Sequence, residues 1–371
     1  MATVILYPNS NVSVNHSVYP SGSSGYACIN DTTADDDSSY LYDETSSSSP
    51  SGSQSSSKES SFGVSTSSVS RKIYLQSIQY TARHRKTNSN VSTSTLQVSC
   101  SINGGSYSST ASSTSTTSYA NYSGTLSPAG RNTVYNSFDA ANIRVKLNSS
   151  ITVSGKTDYG IRITQVYLTA TYLPIYNCAA FAVEGISSVS VSEAEVKEGD
   201  SCTFTASVSS GYRFSGWYSD QACTQLVSSS TSYTKTIDSD TTLYAKAAML
   251  YTVNAVADEY GSVSPTSVTD VGGTSVTFTC TPNDNMKEFV GWYSNPERTN
   301  VISNANPYTF QLTQSRTLYA KCKLKFKIFI KLNGAWVECS KAYKKENGSW
   351  VQQDNLSNLF DPTKNYKIIQ V

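Results

Sequence analysis

The tetrapeptide Gly-Trp-Tyr-Ser occurs twice in this chain, at residues 216–219 and again at residues 291–294. A second tetrapeptide, Leu-Tyr-Ala-Lys, follows each copy at the same distance, at residues 243–246 and 318–321. The two copies lie 75 residues apart, because 291 minus 216 and 318 minus 243 give the same number. Repetition of this kind is typical of proteins that stack small modules, and it disfavours one large domain built around a buried active site.

The residues shared by the two repeats are predicted to be structural anchors. A tryptophan at the same place in two small modules is typical of the centre of each core, because it is the largest apolar side chain there. The alternative is that both rings are exposed and stack on sugars. The predicted anchors are Gly216, Trp217, Tyr218, Leu243 and Tyr244 in the first copy and Gly291, Trp292, Tyr293, Leu318 and Tyr319 in the second.

A shorter repeat near the C-terminus contains the other two tryptophans. Residues 331–337 and 345–351 share the pattern Asn-Gly-x-Trp-Val, in which Asn-Gly predicts a tight hairpin turn. A thin meander has little core to cover aromatic rings, so this module is a predicted contact surface. Alternatively, the rings are buried and the lysines only protect a sheet edge. The predicted ligand-binding residues are Trp336, Trp350, Lys331, Lys341, Lys344 and Lys345.

The N-terminal residues alternate between apolar and polar side chains. In segment 96–102 the apolar residues occupy every second position, which is the period of a half-buried strand. Between residues 72 and 83 the parity of the apolar positions changes, which predicts a bulge or a change of sheet near Ser77. Strands are predicted at 3–7, 62–69, 72–83, 95–102, 141–147 and 160–173, a number typical of a jelly-roll-like sandwich.

Two polar stretches interrupt this pattern. Residues 44–61 are mostly serine and offer no apolar face, so they are predicted to form a long exposed loop inserted in the first domain. Acidic residues cluster between Asp31 and Glu44. A solvated loop is the preferred interpretation of this run. A calcium site is the alternative, because clustered carboxylates bind calcium.

These patterns predict an all-β protein of four modules. A jelly-roll-like sandwich with its serine-rich loop at 44–61 spans residues 1–175. Two small repeat modules follow at 176–248 and 249–323, and a hairpin meander follows at 324–371.

Composition and charge disfavour several classes of protein. The net charge is +1 over 371 residues, so no overall field favours nucleic acid as a partner. No run approaches the roughly 20 apolar residues of a membrane-spanning helix, and the N-terminus lacks the basic and apolar segments of an export signal. The eight cysteines include no Cys-x-x-Cys pair, which disfavours zinc and, without export, favours free thiols. No metal and no cofactor are predicted.

The usual catalytic motifs are also missing from the sequence. Two histidines occur, His16 and His84. His84 lies between Arg83 and Arg85, whose charges oppose a protonated imidazole and indicate a surface loop. There is no Gly-x-Ser-x-Gly elbow and no His-Glu-x-x-His pattern. The chain is therefore predicted not to be an enzyme. A glycan-cleaving enzyme is the remaining alternative, because paired carboxylates need proximity in space and not in sequence.

The stretch 211–219, continuing at 240–246, resembles the internalin B-repeat, or Listeria-Bacteroides repeat, family of bacterial surface proteins. The second copy carries the same resemblance at residues 289–294 and 317–321. The resemblance implies a β-grasp-like fold for both modules. It also implies that they serve as spacers or adhesion modules and contain no catalytic residue.

Two further resemblances concern the ends of the chain. The Asn-Gly-x-Trp-Val repeats look like C-terminal modules of tail and other structural proteins of phages, and residues 1–175 look like the jelly-roll domain of such virion proteins. Together with the missing export signal, they imply a virion protein that is assembled in the host cytoplasm.

The predicted function is that of a phage virion structural protein. It would be an appendage, either a tail-associated fibre or a capsid decoration, that displays modules for host-surface attachment. The predicted partners are other virion proteins and a host-surface glycan, bound by a homo-oligomer whose avidity exceeds that of one copy. The N-terminal domain is predicted to dock to the particle. The alternative is a bacterial cell-surface adhesin that binds glycan or a host protein.

Overall fold

The structure, a computed structural model, describes residues 1–45, 53–66, 68–154, 159–285 and 287–325, and the backbone of four further strands between residues 328 and 353. In this part of the chain nearly every regular element is a β-strand, and two single helical turns complete the set. The all-β prediction is confirmed.

The chain divides into two compact units. The first comprises Met1–Phe181, Ser190–Thr205 and Ser232–Leu243, and the second comprises Ala182–Val189, Ala206–Thr231 and Tyr244–Val371. The predicted module 176–248 therefore contributes segments to both units. The module boundaries near 176, 249 and 324 stay predictions.

The N-terminal part of the chain contains eleven described strands. They are β1 (Ala2–Val14), β2 (Ser17–Tyr19), β3 (Tyr40–Thr45), β4 (Ser53–Ser65), β5 (Ile73–Lys86), β6 (Val91–Ser101), β7 (Ala111–Thr114), β8 (Ala120–Leu126), β9 (Thr133–Tyr135), β10 (Arg144–Ser154) and β11 (Tyr159–Ala182). Helical turns lie at Tyr26–Cys28, which is 3₁₀, and at Phe138–Ala141, which is α1.

These strands form a sandwich of two antiparallel sheets. In the first sheet β5 and β11 are neighbours, β8 and β9 also pair with β5, and β1 and β3 also pair with β11. The second sheet has the order β1, β4, β10, β6, β7. β1 belongs to both sheets, because residues 2–6 pair with β11 and residues 7–14 pair with β4. The predicted sandwich is confirmed.

Alternation along the strands fills the space between the sheets. Ile78 and Leu168 from the first sheet and Val98 and Leu147 from the second are all 0% exposed and belong to one apolar cluster. Burial of each such side chain contributes roughly 1.5–3 kcal/mol. The side chains of opposite parity form the outer faces of the two sheets.

The predicted irregularity near Ser77 is a bulge. Thr171 pairs with Ser77, but the next residue, Tyr172, pairs with Leu75. Gln76 is therefore the extra residue, and it shifts the parity so that Leu75 and residues beyond the bulge both reach the core.

The serine-rich segment is not a long exposed loop. Residues 53–65 form β4, in which Ser57 pairs with Ser150 of β10, and Ser60 and Ser61 are buried at 0% and 7% exposure. The prediction was wrong because backbone hydrogen bonds to neighbouring strands form with any side chain, and a small hydroxyl tolerates burial when it is hydrogen-bonded. Residues 46–52 lie outside the described part of the chain.

The acidic run is not a solvated loop throughout. Residues 40–45 form β3, and Asp43 on this strand is 0% exposed. Its carboxylate accepts hydrogen bonds from Ser56 Oγ at 2.6 Å and from Ser149 Oγ at 2.8 Å. The prediction was wrong for Asp43, because a buried carboxyl group is tolerated when its oxygens accept hydrogen bonds such as these.

His16 continues this buried polar network. It is 4% exposed, and its Nδ1 and Nε2 lie 2.8 Å from Ser60 Oγ and 3.0 Å from Ser149 Oγ. Ser149 donates its proton to Asp43, so it accepts from Nε2–H. Ser60 Oγ accepts from the backbone N–H groups of Asn15 and His16, so its hydroxyl donates to Nδ1, as a neutral imidazole requires. Burial lowers the pKa of His16 to about 4, although the charge of Asp43 opposes that shift.

His84 does not lie in a surface loop. It is 0% exposed on β5, its ring nitrogens lie 2.7 Å from Ser115 Oγ and 2.8 Å from Ser113 Oγ, and burial lowers its pKa to about 4. The prediction was wrong because strand alternation turns His84 inward, while its cationic neighbours Arg83 and Arg85 point to the opposite face.

The repeats comprise fourteen described strands. They are β12 (Ile186–Val191), β13 (Glu195–Lys197), β14 (Ser201–Val208), β15 (Tyr212–Tyr218), β16 (Leu226–Ser228), β17 (Ser232–Thr236), β18 (Thr241–Val256), β19 (Gly261–Ser264), β20 (Ser267–Val271), β21 (Ser275–Pro282), β22 (Lys287–Tyr293), β23 (Val301–Ser303), β24 (Tyr308–Gln311) and β25 (Arg316–Leu324).

The sequence period reappears as a period in strand register. β15 pairs antiparallel with β18, and Trp217 lies opposite Ala245. β22 pairs with β25 in the same way, and Trp292 lies opposite Ala320. β18 also runs parallel to β25, starting from Val253. In the second repeat a three-stranded sheet of β19, β21 and β24 completes the module.

The described C-terminal strands form two hairpins. β26 (Ile328–Leu332) pairs with β27 (Ala335–Cys339), and β28 (Ala342–Glu346) pairs with β29 (Ser349–Gln353). Each hairpin encloses a two-residue connection at a predicted Asn-Gly turn. The turn residues themselves, 333–334 and 347–348, lie outside the described residues.

Candidate functional site

The predicted C-terminal contact residues are described only by their strand register. Trp336 lies opposite Lys331 in one hairpin, and Trp350 lies opposite Lys345 in the other. Lys344 lies on β28, beside Lys345, and Lys341 lies outside the described residues. Both hairpins thus repeat one cross-strand pair of a lysine and a tryptophan. The role of these residues in binding stays a prediction.

Among the predicted repeat anchors, the two tryptophans lie in the interior of the repeats. Trp217 and Trp292 are both 0% exposed. Trp292 Nε1 donates a hydrogen bond to Ala305 O at 3.2 Å, and Phe289 packs on its ring with centroids 5.7 Å apart. Rings buried in this way are not available to stack on sugars. Leu243 and Leu318 are also buried, at 3% and 0% exposure, and the register pairs Tyr218 with Tyr244 and Tyr293 with Tyr319. Tyr218, Tyr244 and Tyr319 are half-buried.

The residue before each tryptophan must be glycine, because atoms of neighbouring strands and loops lie too close to leave room for a side chain. A side chain at Gly216 would meet Leu226 Cδ1 at 2.2 Å and Ser228 O at 2.9 Å. At Gly291 a Cβ would lie 3.0 Å from Asn304 Oδ1. Both glycines also follow a register shift in the strand. The shared Gly-Trp pair is therefore explained by folding.

A cleft on the outer face of the first sheet is the candidate binding site. It has a volume of about 440 Å³ and lies where β1, β5, β8 and β11 present their outward side chains. The segment between Asp31 and Asp35 forms one wall. The nine lining residues are Ile5, Tyr7, Thr32, Thr33, Ala34, Arg83, Asn121, Gln165 and Tyr167.

Two tyrosines form the aromatic part of this cleft. The ring centroids of Tyr7 and Tyr167 are 5.8 Å apart, with an angle of 50° between the ring planes. Both rings are half-buried, and Ile5 beside them is 43% exposed. Tyr7 comes directly after the stretch of β1 that pairs with β11, in which Leu6 lies opposite Leu168, so it lies beside Tyr167. Apolar surface of the cleft is therefore accessible to solvent.

Polar groups surround the aromatic pair. Gln165 is 6% exposed, and its Nε2 donates to Asp31 O at 2.6 Å, which fixes the wall segment against the sheet. Arg83 forms a bidentate pair with Asp36, with Nε to Oδ1 at 2.6 Å and Nη2 to Oδ2 at 2.7 Å. Arg83 Nη1 also approaches Asn121 Oδ1 at 3.4 Å. The hydrogen bond from Arg83 lowers the pKa of Asp36 below its ordinary value.

A second ion-pair cluster lies beyond the cleft wall. Asp37 Oδ1 accepts hydrogen bonds from Arg85, Arg162 and the Tyr119 hydroxyl, each at 3.0 Å. Burial alone would raise the pKa of Asp37, but these donors outweigh burial and lower it. The carboxylates that suggested calcium binding are thus paired with arginine at Asp36 and Asp37. Among the described residues, no group of three His, Cys, Asp or Glu side chains could hold a metal ion.

The chemistry of the cleft suits a ligand that is both apolar and rich in hydroxyls. The C–H face of a pyranose ring packs well on an aromatic face, which carries partial negative charge. Its hydroxyls need donors and acceptors such as those of Asn121, Thr32 and Thr33. The nine lining residues include neither a carboxylate nor a histidine.

The sequence of β11 carries a signal for this cleft. In residues 165–171 the inward positions are apolar and the outward positions carry glutamine, tyrosine and threonine. A tyrosine on an otherwise polar outer face marks exposed aromatic surface. The partner Tyr7 could not be assigned, because 160 residues separate it from Tyr167 in the sequence. In the part of the chain that is described, no helix is long and apolar enough to cross a membrane.

Comparison with other proteins concerns mainly the repeats. Residues 179–246 match the Listeria-Bacteroides repeat domain, and residues 251–325 match the divergent InlB B-repeat domain. No curated protein matches the chain.

Similarity to solved structures is weak. TmCBM61 in complex with β-1,4-galactotriose is 13% identical, with a TM-score of 0.21 over 35% of this chain and 70% of that chain. Arabinose-bound MgGH51 α-L-arabinofuranosidase is 17% identical, with a TM-score of 0.23 over 44% of this chain and 23% of that chain. The glycoside hydrolase domain of Spr0440, Endo-D from Streptococcus pneumoniae R6, is 11% identical, with a TM-score of 0.20 over 64% and 32%.

Similarity at this level assigns neither fold nor function. The family matches, by contrast, agree with the sequence period, the shared register and the two buried tryptophans. Residues 179–325 therefore contain two tandem repeats of the internalin B-repeat type.

Proposed function

We propose that this protein binds glycan without cleaving it and belongs to a surface-attachment structure. The observation that carries the proposal is the half-buried pair of Tyr7 and Tyr167 in a cleft otherwise lined mainly by polar side chains. The family matches support it, because repeats of this type are named after a bacterial surface protein. In this proposal the repeats serve as spacer or adhesion modules.

The residues of the cleft support binding without turnover. Hydrolysis of a glycosidic bond usually needs two carboxyl groups on either side of that bond. The lining residues supply none, and Asp36, which pairs with the lining residue Arg83, is held by two short hydrogen bonds from it. A carboxylate held in its charged form by arginine is a poor general acid.

The proposal also covers the structure to which the protein belongs, for which there are two candidates. A phage virion appendage is the first candidate, supported by the resemblance of both chain ends to virion structural proteins. A bacterial adhesin is the second candidate, supported by the InlB B-repeat match. Mass spectrometry of purified particles and of cell-envelope fractions distinguishes them. Detection with capsid or tail proteins supports the virion, and detection in the envelope alone contradicts it.

Binding of the full chain to an array of bacterial polysaccharide fragments and neutral oligosaccharides tests the site. We expect Tyr167→Ala to lower the affinity for any bound glycan at least tenfold, about 1.4 kcal/mol, because it removes a stacking face. Tyr107→Ala is the matched control. That tyrosine is half-buried, packs under Lys146 Nζ at 4.5 Å, and lies outside the cleft.

The control variant should retain the affinity of the wild type. Equal losses in both variants would contradict a specific role for Tyr167. The absence of binding to every glycan by a folded wild-type chain would contradict the proposed function as a whole.

A further inference from the structure

We infer that the cleft selects neutral sugars over uronates, an inference that rests on the proposed glycan-binding function. Among the nine lining residues, Arg83 alone carries a charge. An arginine in a sugar site ordinarily suggests an acidic ligand, because its planar fork matches a carboxylate. The contacts of Arg83 point the other way.

The fork of Arg83 is already occupied. Nε and Nη2 donate to the two carboxylate oxygens of Asp36 at 2.6 Å and 2.7 Å, which is a complete bidentate pair. Thr164 Oγ1 also donates to Asp36 Oδ1 at 3.4 Å, so a third group holds this carboxylate in place. The remaining nitrogen, Nη1, approaches Asn121 Oδ1 at 3.4 Å. A uronate carboxylate would have to displace Asp36 to gain equivalent hydrogen bonds.

The wall of the cleft adds further negative charge. Thr32, Thr33 and Ala34 line the cleft, and the same short segment carries four aspartates. They are Asp31, Asp35, Asp36 and Asp37, against which the first sheet places three arginines at 83, 85 and 162. The formal charges of these four aspartates and three arginines sum to −1, and of the seven only Arg83 lines the cleft. Like charges raise the free energy of a bound carboxylate, whereas neutral hydroxyls are unaffected.

A gain of function tests this inference. The probe is a pair of oligosaccharides with the same linkage, one built from galactose and the other from galacturonate, measured on the full chain by calorimetry. We expect the wild type to bind the neutral member at least tenfold more tightly. Asp36→Asn removes the carboxylate that pairs with the Arg83 guanidinium, so it should raise the affinity for galacturonate about tenfold. The affinity for the neutral sugar should change less than threefold.

Two further variants assign the cause. The double variant Asp36→Asn with Arg83→Gln should lose the gain for galacturonate, because the freed guanidinium is gone. Glu59→Gln removes an exposed carboxylate of the second sheet, which pairs with Lys146 at 3.2 Å, and should leave the ratio unchanged. Melting curves of all variants show that each is folded.

The outcomes separate the inference from the proposed function. A wild type that binds galacturonate as well as or better than the neutral sugar overturns the inference and leaves glycan binding intact. An unchanged ratio in folded Asp36→Asn also overturns it. Binding of neither sugar by a wild type that binds no other glycan on the array overturns both.

Discussion

The second repeat and the N-terminal sandwich build their cores in different ways. The buried cluster of the second repeat contains ten residues and is centred on Trp292. The cluster of the sandwich contains thirty residues, none of them tryptophan, and is dominated by aliphatic side chains such as Leu147. The sandwich also buries polar networks around His16 and His84.

The difference shows how a core is encoded. The stability of a small module depends on one large side chain. That residue can be recognised in the sequence because it recurs at the same place in the second copy of the module. A larger core distributes its stability over many medium-sized residues, so no single residue identifies it. Its excess stability also allows polar groups to be buried, provided that they are hydrogen-bonded.

The largest expected effect concerns the centre of the second repeat. Trp292→Ala should destabilise this module by about 3–5 kcal/mol, because it removes a fully buried ring and a hydrogen bond to Ala305. Chemical denaturation followed through module-specific hydrogen exchange measures the change. Val301→Ala is the control, since Val301 is 56% exposed, and it should change stability by less than about 0.5 kcal/mol. Comparable losses in both variants would show that Trp292 does not dominate this core.

The next prediction is that the stability of the sandwich depends on pH, whereas that of the second repeat does not depend on histidine titration. The pKa of His16 and of His84 is lowered to about 4 by burial, against an ordinary value of 6.5. As the pH falls from 7 towards 4, the unfolded sandwich takes up protons before the folded one, so its stability falls in this window. Well above pH 6.5 the histidines are neutral in both states and cause no pH dependence.

Between pH 7 and pH 5 each histidine should destabilise the sandwich by about 2 kcal/mol. Both histidines of the chain lie in this region, so the second repeat should lack this dependence. Hydrogen exchange at the two pH values measures both regions in one sample. In His84→Gln the slope of stability against pH should decrease for the sandwich. An unchanged slope would show that His84 does not titrate below its ordinary pKa.

The smallest expected effect is the loss of stability when one of two adjacent serines of β10 is replaced by alanine. Ser149 is 0% exposed and donates to Asp43, whereas Ser150 is exposed on the outer face. Ser149→Ala should destabilise the sandwich by about 1–3 kcal/mol, because a buried carboxylate loses a donor. Ser150→Ala should stay within about 0.5 kcal/mol. Urea unfolding of the two variants measures the difference, and equal stabilities would mean that the buried network contributes nothing.

Much of the fold could be predicted from side-chain pattern alone. The period of 75 residues predicted the repeats, and the parity change near Ser77 predicted a bulge that the register confirms. Strand β4 could not be predicted in this way, because its serines show no alternation of apolar and polar residues over residues 53–61. The candidate cleft was not predicted either, since its residues come from four strands and the segment between Asp31 and Asp35.

The sequence by itself determined the elements that depend on local or repeated patterns: the two tandem repeats with their buried tryptophans, the alternating strands and the two hairpins. The tertiary structure decided which polar residues are buried and which aromatic residues are brought together. Backbone hydrogen bonds between strands distant in sequence do not depend on side-chain type, so serine-rich β4 joins a sheet and Tyr7 meets Tyr167 without a local signal. The burial of His84 and the pairing of Arg83 with Asp36 follow from that arrangement, because a strand of fixed register must send neighbouring side chains to opposite faces.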